Sequence, residues 1–251
     1  MTTLIKLLVG IFTAFLLTSC NFNFEIGQTN GNGNVVVKDL NLSNEFTKIN
    51  ASNGWDIILK KGDKPGIVAE MDDNLLEYLD INFDGNTLRI ETSDNSNIGE
   101  ATSKKIVVTY TQPIEEIKAS SALSITALES LTGDRIKFDL SSAATVKLPV
   151  EIREIIADAS SAATLNLEGE AQTVELDVSS AATINAKDLK SEFCDAEASS
   201  AGSIRIYVSK EIASKASSAG DIDYWGTPQK VAAVESSGGR ISKKKKSSFI
   251  N

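Results

Sequence analysis

The tetrapeptide Ser-Ser-Ala-Ala stands at residues 141–144, 160–163 and 179–182, and four close variants of it stand on either side. The steps between successive Ser-Ser pairs are 21, 19, 19, 20, 18 and 19 residues. The pairs begin at Ser120, Ser141, Ser160, Ser179, Ser199, Ser217 and Ser236. A period of this length is typical of a solenoid, in which each repeat packs mainly on its neighbours.

Apolar and polar residues alternate on both sides of each Ser-Ser pair. Around Ser160, for example, Ile155, Ala157, Leu165 and Leu167 are apolar and the residues between them are mostly polar. A period of two predicts β-strands with one buried face. Each repeat is therefore interpreted as two short strands that meet at a corner, and a less regular third segment, such as 150–152 or 187–189, completes the turn.

The predicted fold class is all-β: a single-stranded parallel β-helix, or β-solenoid, with coils of about 19 residues. The regular coils are assigned to residues 115–242, and equivalent positions of successive coils should stack about 4.8 Å apart. Because the period is two, the second serine of each pair is expected to point inward and to form a ladder of hydroxyl groups, with the first serine pointing outward.

The same corner pattern occurs once upstream, at Ser52, where Trp55, Ile57 and Leu59 are expected to face inward. The stretch between this corner and Ser120 is irregular. It predicts a short helix at 72–79, a hairpin of strands 81–83 and 87–91, and a further strand at 106–111. This part is interpreted as an N-terminal cap over the open end of the solenoid.

Composition excludes several kinds of chemistry. The chain has 251 residues, a formal net charge of −9 and no histidine, which rules out Ser-His-Asp and Cys-His catalysis and histidine-ligated metals. The acidic balance argues against nucleic acid as a partner. Aromatic residues make up 6% of the chain, too few for an aromatic-lined sugar cleft. Cys194 occupies a column of Ile and Val and is predicted to be a core residue.

The N-terminus reads as a targeting segment. An apolar run at 7–17 is too short to span a bilayer and fits a secretory signal peptide. It ends in Leu17-Thr18-Ser19-Cys20, which resembles the signal of bacterial lipoproteins, where the cysteine becomes the lipid-modified N-terminus. An ordinary signal peptide with a chance cysteine is the alternative. The predicted organisation is a signal peptide at 1–19, a flexible tether at 20–34, the β-helix domain at 35–242 and a basic tail at 243–251.

The acidic residues of one outward column are the strongest candidate for a binding site. They are Asp139, Asp158, Asp177 and Glu197, stacked one coil apart. A hard cation such as Ca²⁺ would relieve their mutual repulsion, although a straight ladder spreads the oxygens that Ca²⁺ needs to converge. A solvated acidic face is therefore favoured, and Lys137, Lys147 and Arg153 are available to neutralise it. Tyr224 and Trp225 are expected to pack at the C-terminal coil, with ligand stacking as the alternative.

Four stretches of the chain resemble the head GIN domain family of auto-transporter adhesins, found in secreted and lipid-anchored proteins of Bacteroidetes-type bacteria. They are Phe46-Thr47-Lys48-Ile49, Trp55-Asp56-Ile57, Asp73-Asn74-Leu75-Leu76, and Ser218-Ala219-Gly220-Asp221-Ile222 followed by Trp225-Gly226. The resemblance covers roughly Val35 to Ser242 and implies a right-handed β-helix. It brings no catalytic residues with it. The uniform Ser-Ser-Ala-Ala corners depart from the glycine-rich corners common in the family.

The sequence thus favours a non-catalytic lipoprotein of the cell envelope: an adhesin, or a surface binding or scaffold module, with no cofactor. Its expected partners are the membrane, through a lipid on Cys20, and a glycan or a surface protein. The predicted location is the outer membrane, on its periplasmic face or at the cell surface, because no aspartate follows Cys20. The alternative is a polysaccharide-binding or polysaccharide-active β-helix, which would require a convergent cleft with Arg or Lys beside acids.

Lipidation of Cys20 can be tested directly. In the native bacterium, the wild-type chain should incorporate a clickable palmitate analogue, and Cys20→Ala should abolish the label because the thiol to be alkylated is gone. Cys194→Ala is the matched control and should label like the wild type. Labelling of the Cys20→Ala variant would contradict the prediction.

Overall fold

The structure is a computed structural model that describes residues 28–42, 44–93 and 96–245. Strands make up 64% of the described residues, and these residues contain one short 3₁₀ helix, Asp73–Tyr78. Within the described ranges, no helix combines the length and the apolarity needed to cross a membrane. The strands are β1 (Gln28–Thr29), β2 (Val35–Asp39), β3 (Lys48–Ala51), β4 (Asp56–Lys61), β5 (Gly66–Asp72), β6 (Leu79–Asp84), β7 (Thr87–Thr92), β8 (Asn97–Ile98), β9 (Lys104–Tyr110), β10 (Glu116–Ala119), β11 (Ser124–Ala127), β12 (Leu131–Leu140), β13 (Thr145–Ala159), β14 (Thr164–Val178), β15 (Thr183–Ala198), β16 (Ser203–Ala216), β17 (Asp221–Trp225), β18 (Lys230–Glu235) and β19 (Arg240–Lys243).

Parallel coils of about 19 residues stack into a β-solenoid of about seven turns, as the period predicted. The register keeps equivalent positions together: Ile136 pairs with Ile155, and Ile155 pairs with Val174. All three side chains are fully buried. The long strands β13, β14 and β15 change their buried parity part-way along, and β16 has two successive exposed residues, Ser209 and Lys210. Both patterns mark bends between the faces of a coil. One continuous apolar core fills the interior.

The corners differ from the expectation in one respect: the second serine points outward. Ser142, Ser161 and Ser180 are exposed, and each has a positive φ near 50°. The alanine that follows each of them also has a positive φ, near 60°, as the central residues of a type I′ turn do. Two successive left-handed residues turn the chain so that strand parity no longer applies. The prediction of inward serines was therefore wrong.

The ladder that joins the corners is made of backbone rather than of hydroxyl groups. The N–H of Ala143 donates to the carbonyl oxygen of Ser161 in the next coil at 2.9 Å, and Ala162 donates to Ser180 at 3.0 Å. In the corners from Ser141 onward, the amide of the fourth residue closes the turn on the first serine; Ala163 donates to Ser160 at 3.0 Å. That fourth residue is the one that faces the core.

The N-terminal cap ends the parallel stacking by reversing strand direction. The first coil, β3 and β4, pairs in parallel with β10 and β11 on one side and with β7 and β9 on the other. Beyond them β6 is antiparallel to β7, β5 to β9, and β2 to β5. The helix predicted at 72–79 is the 3₁₀ helix, and the predicted hairpin is β6–β7. Trp55, Ile57 and Leu59 face inward, as expected.

The C-terminal coil has no further strand on it within the described residues. Every residue of β18 is exposed, including Val231 at 46% and Val234 at 58%. The carboxylate of Glu235 folds back over the end of the coil and accepts the N–H of Ile241 at 2.6 Å. Lys243, the first residue of the predicted basic tail, belongs to β19, and residues 246–251 lie outside the described part of the chain.

Residues 28–34, predicted from the sequence to belong to a flexible tether, are bound to the domain. β1 pairs with β8, and two adjacent carboxylates, those of Asp72 and Asp73, hold the rest of this docked segment. The donors are the backbone N–H groups of Gly33, Thr102 and Ser103 for Asp72, and the side-chain amides of Asn32 and Asn34 for Asp73. These hydrogen bonds lower the pKa of both carboxyls. Residues 20–27 lie outside the described residues.

The orientation of the corner predicts the effect of two nearby substitutions. Ala182 is fully buried, so Ala182→Leu should overpack the interior and cost about 1–3 kcal/mol. Ser180→Asn should cost nothing measurable, because the side chain points to solvent and Asn tolerates a left-handed backbone. Urea unfolding midpoints of both variants test this, and equal losses would contradict the orientation described.

Candidate functional site

The predicted acidic column exists and is a solvated face. The register stacks Asp139 on Asp158, Asp158 on Asp177, and Asp177 on Glu197. Among the described residues, no group of three or more acidic or cysteine side chains is placed to hold a metal ion. The parallel register spreads these carboxylates along the axis, one to each coil.

Cations neutralise two residues of the acidic column, Asp158 and Glu197, but not Asp177 between them. Lys137 lies 3.2 Å from Asp158, and Lys215 lies 2.5 Å from Glu197. Asp177 lies between these two acids with no cation of its own, so desolvation and its neighbours raise its pKa. Arg153 does not serve this column. The column is therefore a source of internal repulsion.

The other residues singled out in the sequence are structural. Cys194 is buried between Val174 and Ile212 in the register, and burial raises the pKa of its thiol. Its assignment to the core is confirmed. Tyr224 is buried, and Trp225 is half-buried and paired in register with Tyr207. Both residues pack at the C-terminal coils, as expected.

A shallow groove of about 650 Å³ crosses four successive coils on the third face of the solenoid, the face formed by segments 151–153, 170–172, 190–192 and 207–209. Its floor is a column in which Ile152 pairs with Ala171 and Ala171 with Ser191. The two small residues leave the space above them open. The hydroxyl of buried Ser191 donates to the carbonyl of Tyr207 at 2.6 Å, which closes the floor.

One wall of the third-face groove is the column Glu151, Glu170, Lys190 and Tyr207. Lys190 binds Glu170 at 2.9 Å and lowers the pKa of that carboxyl. Within the described chain, the carboxylate of Glu151 makes no hydrogen bond or ion pair. Among the described residues, this wall therefore offers the free carboxylate of Glu151, the free hydroxyl of Tyr207 and one compensated pair.

The opposite wall contains Arg153, Gln172 and Glu192. Arg153 binds Asp134 in a bidentate pair of 2.6 and 2.9 Å, and Glu192 binds Lys210 at 2.7 Å. In the described chain, the amide of Gln172 has no side-chain partner. The groove thus has Arg and Lys beside acids, the arrangement that a polysaccharide-active cleft would require. These cations, however, are held in ion pairs.

Sequence reasoning missed this groove because it lies on the least regular segment of each coil. The coils differ in length by up to three residues, so columns counted from the serines lose their alignment on the third face. The sequence does contain a signal for the groove. Ala171 and Ser191 are small, whereas the equivalent position one coil earlier is occupied by the larger Ile152.

Residues 45–228 match the family model described as "Putative auto-transporter adhesin, head GIN domain". The chain belongs to this family. The match spans well over half of the sequence and lies within the stretch of 35–242 on which the resemblance was recognised. The family is described as an adhesin, which suggests a protein of the cell surface or envelope, and the description names no enzymatic activity.

Solved structures share the fold of this head GIN domain. A "putative adhesin" from Bacteroides fragilis has a TM-score of 0.79 at 18% identity, covering 86% of this chain and 100% of its own. A "putative adhesin" from Parabacteroides merdae has a TM-score of 0.70 at 20% identity, covering 87% and 99%. A "Putative lipid binding protein" from Parabacteroides distasonis has a TM-score of 0.67 at 19% identity, covering 86% and 99%. No curated protein matches the chain in sequence.

The raised pKa of Asp177 predicts a pH-dependent gain of stability on removing its charge. A carboxyl whose pKa is higher in the folded state destabilises that state once it ionises, so the penalty is full at neutral pH and vanishes below its ordinary value of 3.8. Asp177→Asn should therefore raise the melting temperature at pH 7 and lose this advantage near pH 3. Glu170→Gln, whose carboxyl has a lowered pKa, should show no gain at pH 7; a gain there equal to that of Asp177→Asn would contradict the assignment.

Proposed function

We propose that this head GIN domain is a non-catalytic adhesin module, anchored in the outer membrane by a lipid on Cys20, that binds an extracellular ligand along the third-face groove. The observation that carries the proposal is the groove itself. It spans four coils and has a floor of small residues, and its walls keep the free polar groups of Glu151 and Gln172. The adhesin description of the family supports the same reading.

The docked segment determines how the proposed anchor would hold the domain. The pairing of β1 with β8 holds the chain from residue 28 onward, and Asp72 and Asp73 hold residues 32–34. Only residues 21–27 therefore separate Cys20 from a rigid body. Even fully extended, this link spans roughly 28 Å. The N-terminal cap would then stand next to the membrane, and the C-terminal coils would point away from it. The groove lies in the coils beyond the cap, where a partner could reach it.

The groove is a better ligand site than the acidic column or the corners. The acidic column carries repelling charges with no convergent geometry, and the corners carry only small side chains. The third face combines a recess with unpaired donors and acceptors, which is the arrangement that orients a bound molecule. The chemistry of the groove requires no cofactor.

Blocking the groove tests this proposal. The full mature chain, carrying its lipid, is inserted into fluorescent phosphatidylcholine vesicles, and vesicle retention is measured on a panel of surfaces coated with extracellular polysaccharides or proteins. Gln172→Trp places a large side chain in the groove without entering the core, so retention should fall at least about tenfold, the effect of losing 1.4 kcal/mol of binding. Glu175→Trp, an exposed position outside the groove, is the control and should retain vesicles normally.

The outcomes of that experiment are decisive. Retention that depends on the lipid and is lost only in Gln172→Trp supports both parts of the proposal. Equal retention of the two tryptophan variants, or no retention of the wild type on any surface, would overturn the groove as the adhesive site. Retention of a Cys20→Ala chain on vesicles would overturn the anchor.

A further inference from the structure

The charges that line the third-face groove are almost completely compensated. Arg153 is held by Asp134 and Lys190 by Glu170, while Glu192 is held by Lys210. A ligand with strong charge of either sign would have to displace these pairs. The one uncompensated ionic group is the carboxylate of Glu151, which repels a polyanion. The groove therefore favours a neutral ligand.

The free groups of the groove are hydrogen-bonding groups of both kinds. The Glu151 carboxylate accepts, whereas the Gln172 amide and the Tyr207 hydroxyl both donate and accept. They lie on both walls, above a floor whose two small residues, Ala171 and Ser191, leave room for a flat ring. A molecule with many hydroxyl groups on a compact ring satisfies such a set, because each hydroxyl can donate to one wall and accept from the other.

The geometry of the solenoid also restricts the shape of the ligand. Stacked coils repeat at about 4.8 Å, so a groove of four coils runs about 14 Å along the axis. It is open along its length, and Tyr207 lines it at the last of the four coils. An extended chain of rings fits this trough better than a folded protein surface does, since protein interfaces need a large, well-packed aromatic core.

We propose that the groove binds a neutral, extended glycan, held by Glu151 and Gln172 on opposite walls and bounded by Tyr207. This inference rests on the proposed function, because it names the ligand class of the same site. Recognition of the glycan here depends on hydrogen bonds, and Tyr207 is the one aromatic residue among the described residues that line the groove. This agrees with the low aromatic content of the chain.

A comparison of neutral and charged polysaccharides tests the inference. The full lipidated chain in phosphatidylcholine vesicles is applied to an array of neutral oligosaccharides, sulfated or uronic-acid oligosaccharides, and unglycosylated proteins. We expect binding to a subset of the neutral oligosaccharides. Glu151→Ala and Gln172→Ala should each weaken it by about tenfold. The matched controls Glu175→Ala and Gln229→Ala, both exposed outside the groove, should bind as the wild type does.

Each outcome separates the ligand class from the adhesive role. Binding to neutral oligosaccharides that all four variants retain would overturn the assignment of the groove. Groove-dependent binding only to charged oligosaccharides or to proteins would overturn the neutral-glycan inference and leave the proposed adhesin function standing. If Gln172→Trp leaves vesicle retention unchanged in the earlier experiment, the proposed function itself has failed. All four alanine positions are exposed to solvent, so these variants should fold.

Discussion

The left-handed corner is the constraint on which the stacking depends. Two successive residues with positive φ turn the chain through the bend between two faces, and the amide of the second of these donates to the carbonyl of the first in the next coil. A left-handed residue other than glycine costs about 1–2 kcal/mol, and the corners from Ser121 to Ser218 contain no glycine at these two positions. The buried columns on both sides of each corner offset that cost. Every coil must therefore bend at the same point for its columns to meet those of its neighbours.

The small size of the corner residues follows from the same geometry. From the corner at Ser141 onward, the fourth residue faces the interior where two strands converge, and it is Ala at 144, 163 and 182 and Gly at 202 and 220. The two earlier corners hold Trp55 and Leu123 at this position. At Gly220 a Cβ atom would lie 2.3 Å from the carbonyl oxygen of Ala198, so the backbones there approach more closely than alanine allows. The first coil solves the bend with Asn53-Gly54, the usual residues of a type I′ turn. The later coils reach the same conformation with Ser-Ala.

The strands and the core could be predicted because a period of two survives wherever the chain is extended. The inward columns of Ile155, Val174 and Cys194 were assigned correctly for that reason. Parity failed at Ser161 and Ser180 because a turn with two left-handed residues does not alternate sides. The groove was missed because Ala171 and Ser191 lie where coil lengths vary, and the docking of 28–34 was missed because its partners, Asp72 and Asp73, are distant in sequence.

Because the corners repeat, the distance between the groove and the N-terminal end of the solenoid can change while the rest of the molecule stays the same. Each coil contacts mainly its two neighbours, and joining Ser160 directly to Ser180 would regenerate a Ser-Ser-Ala-Ala corner from two existing ones. Gain or loss of one 19-residue unit therefore changes only the length of the solenoid. For a chain held at its N-terminal end, each coil inserted below the groove would lift it about 4.8 Å further from the surface, so related proteins can differ in reach while keeping one way of folding.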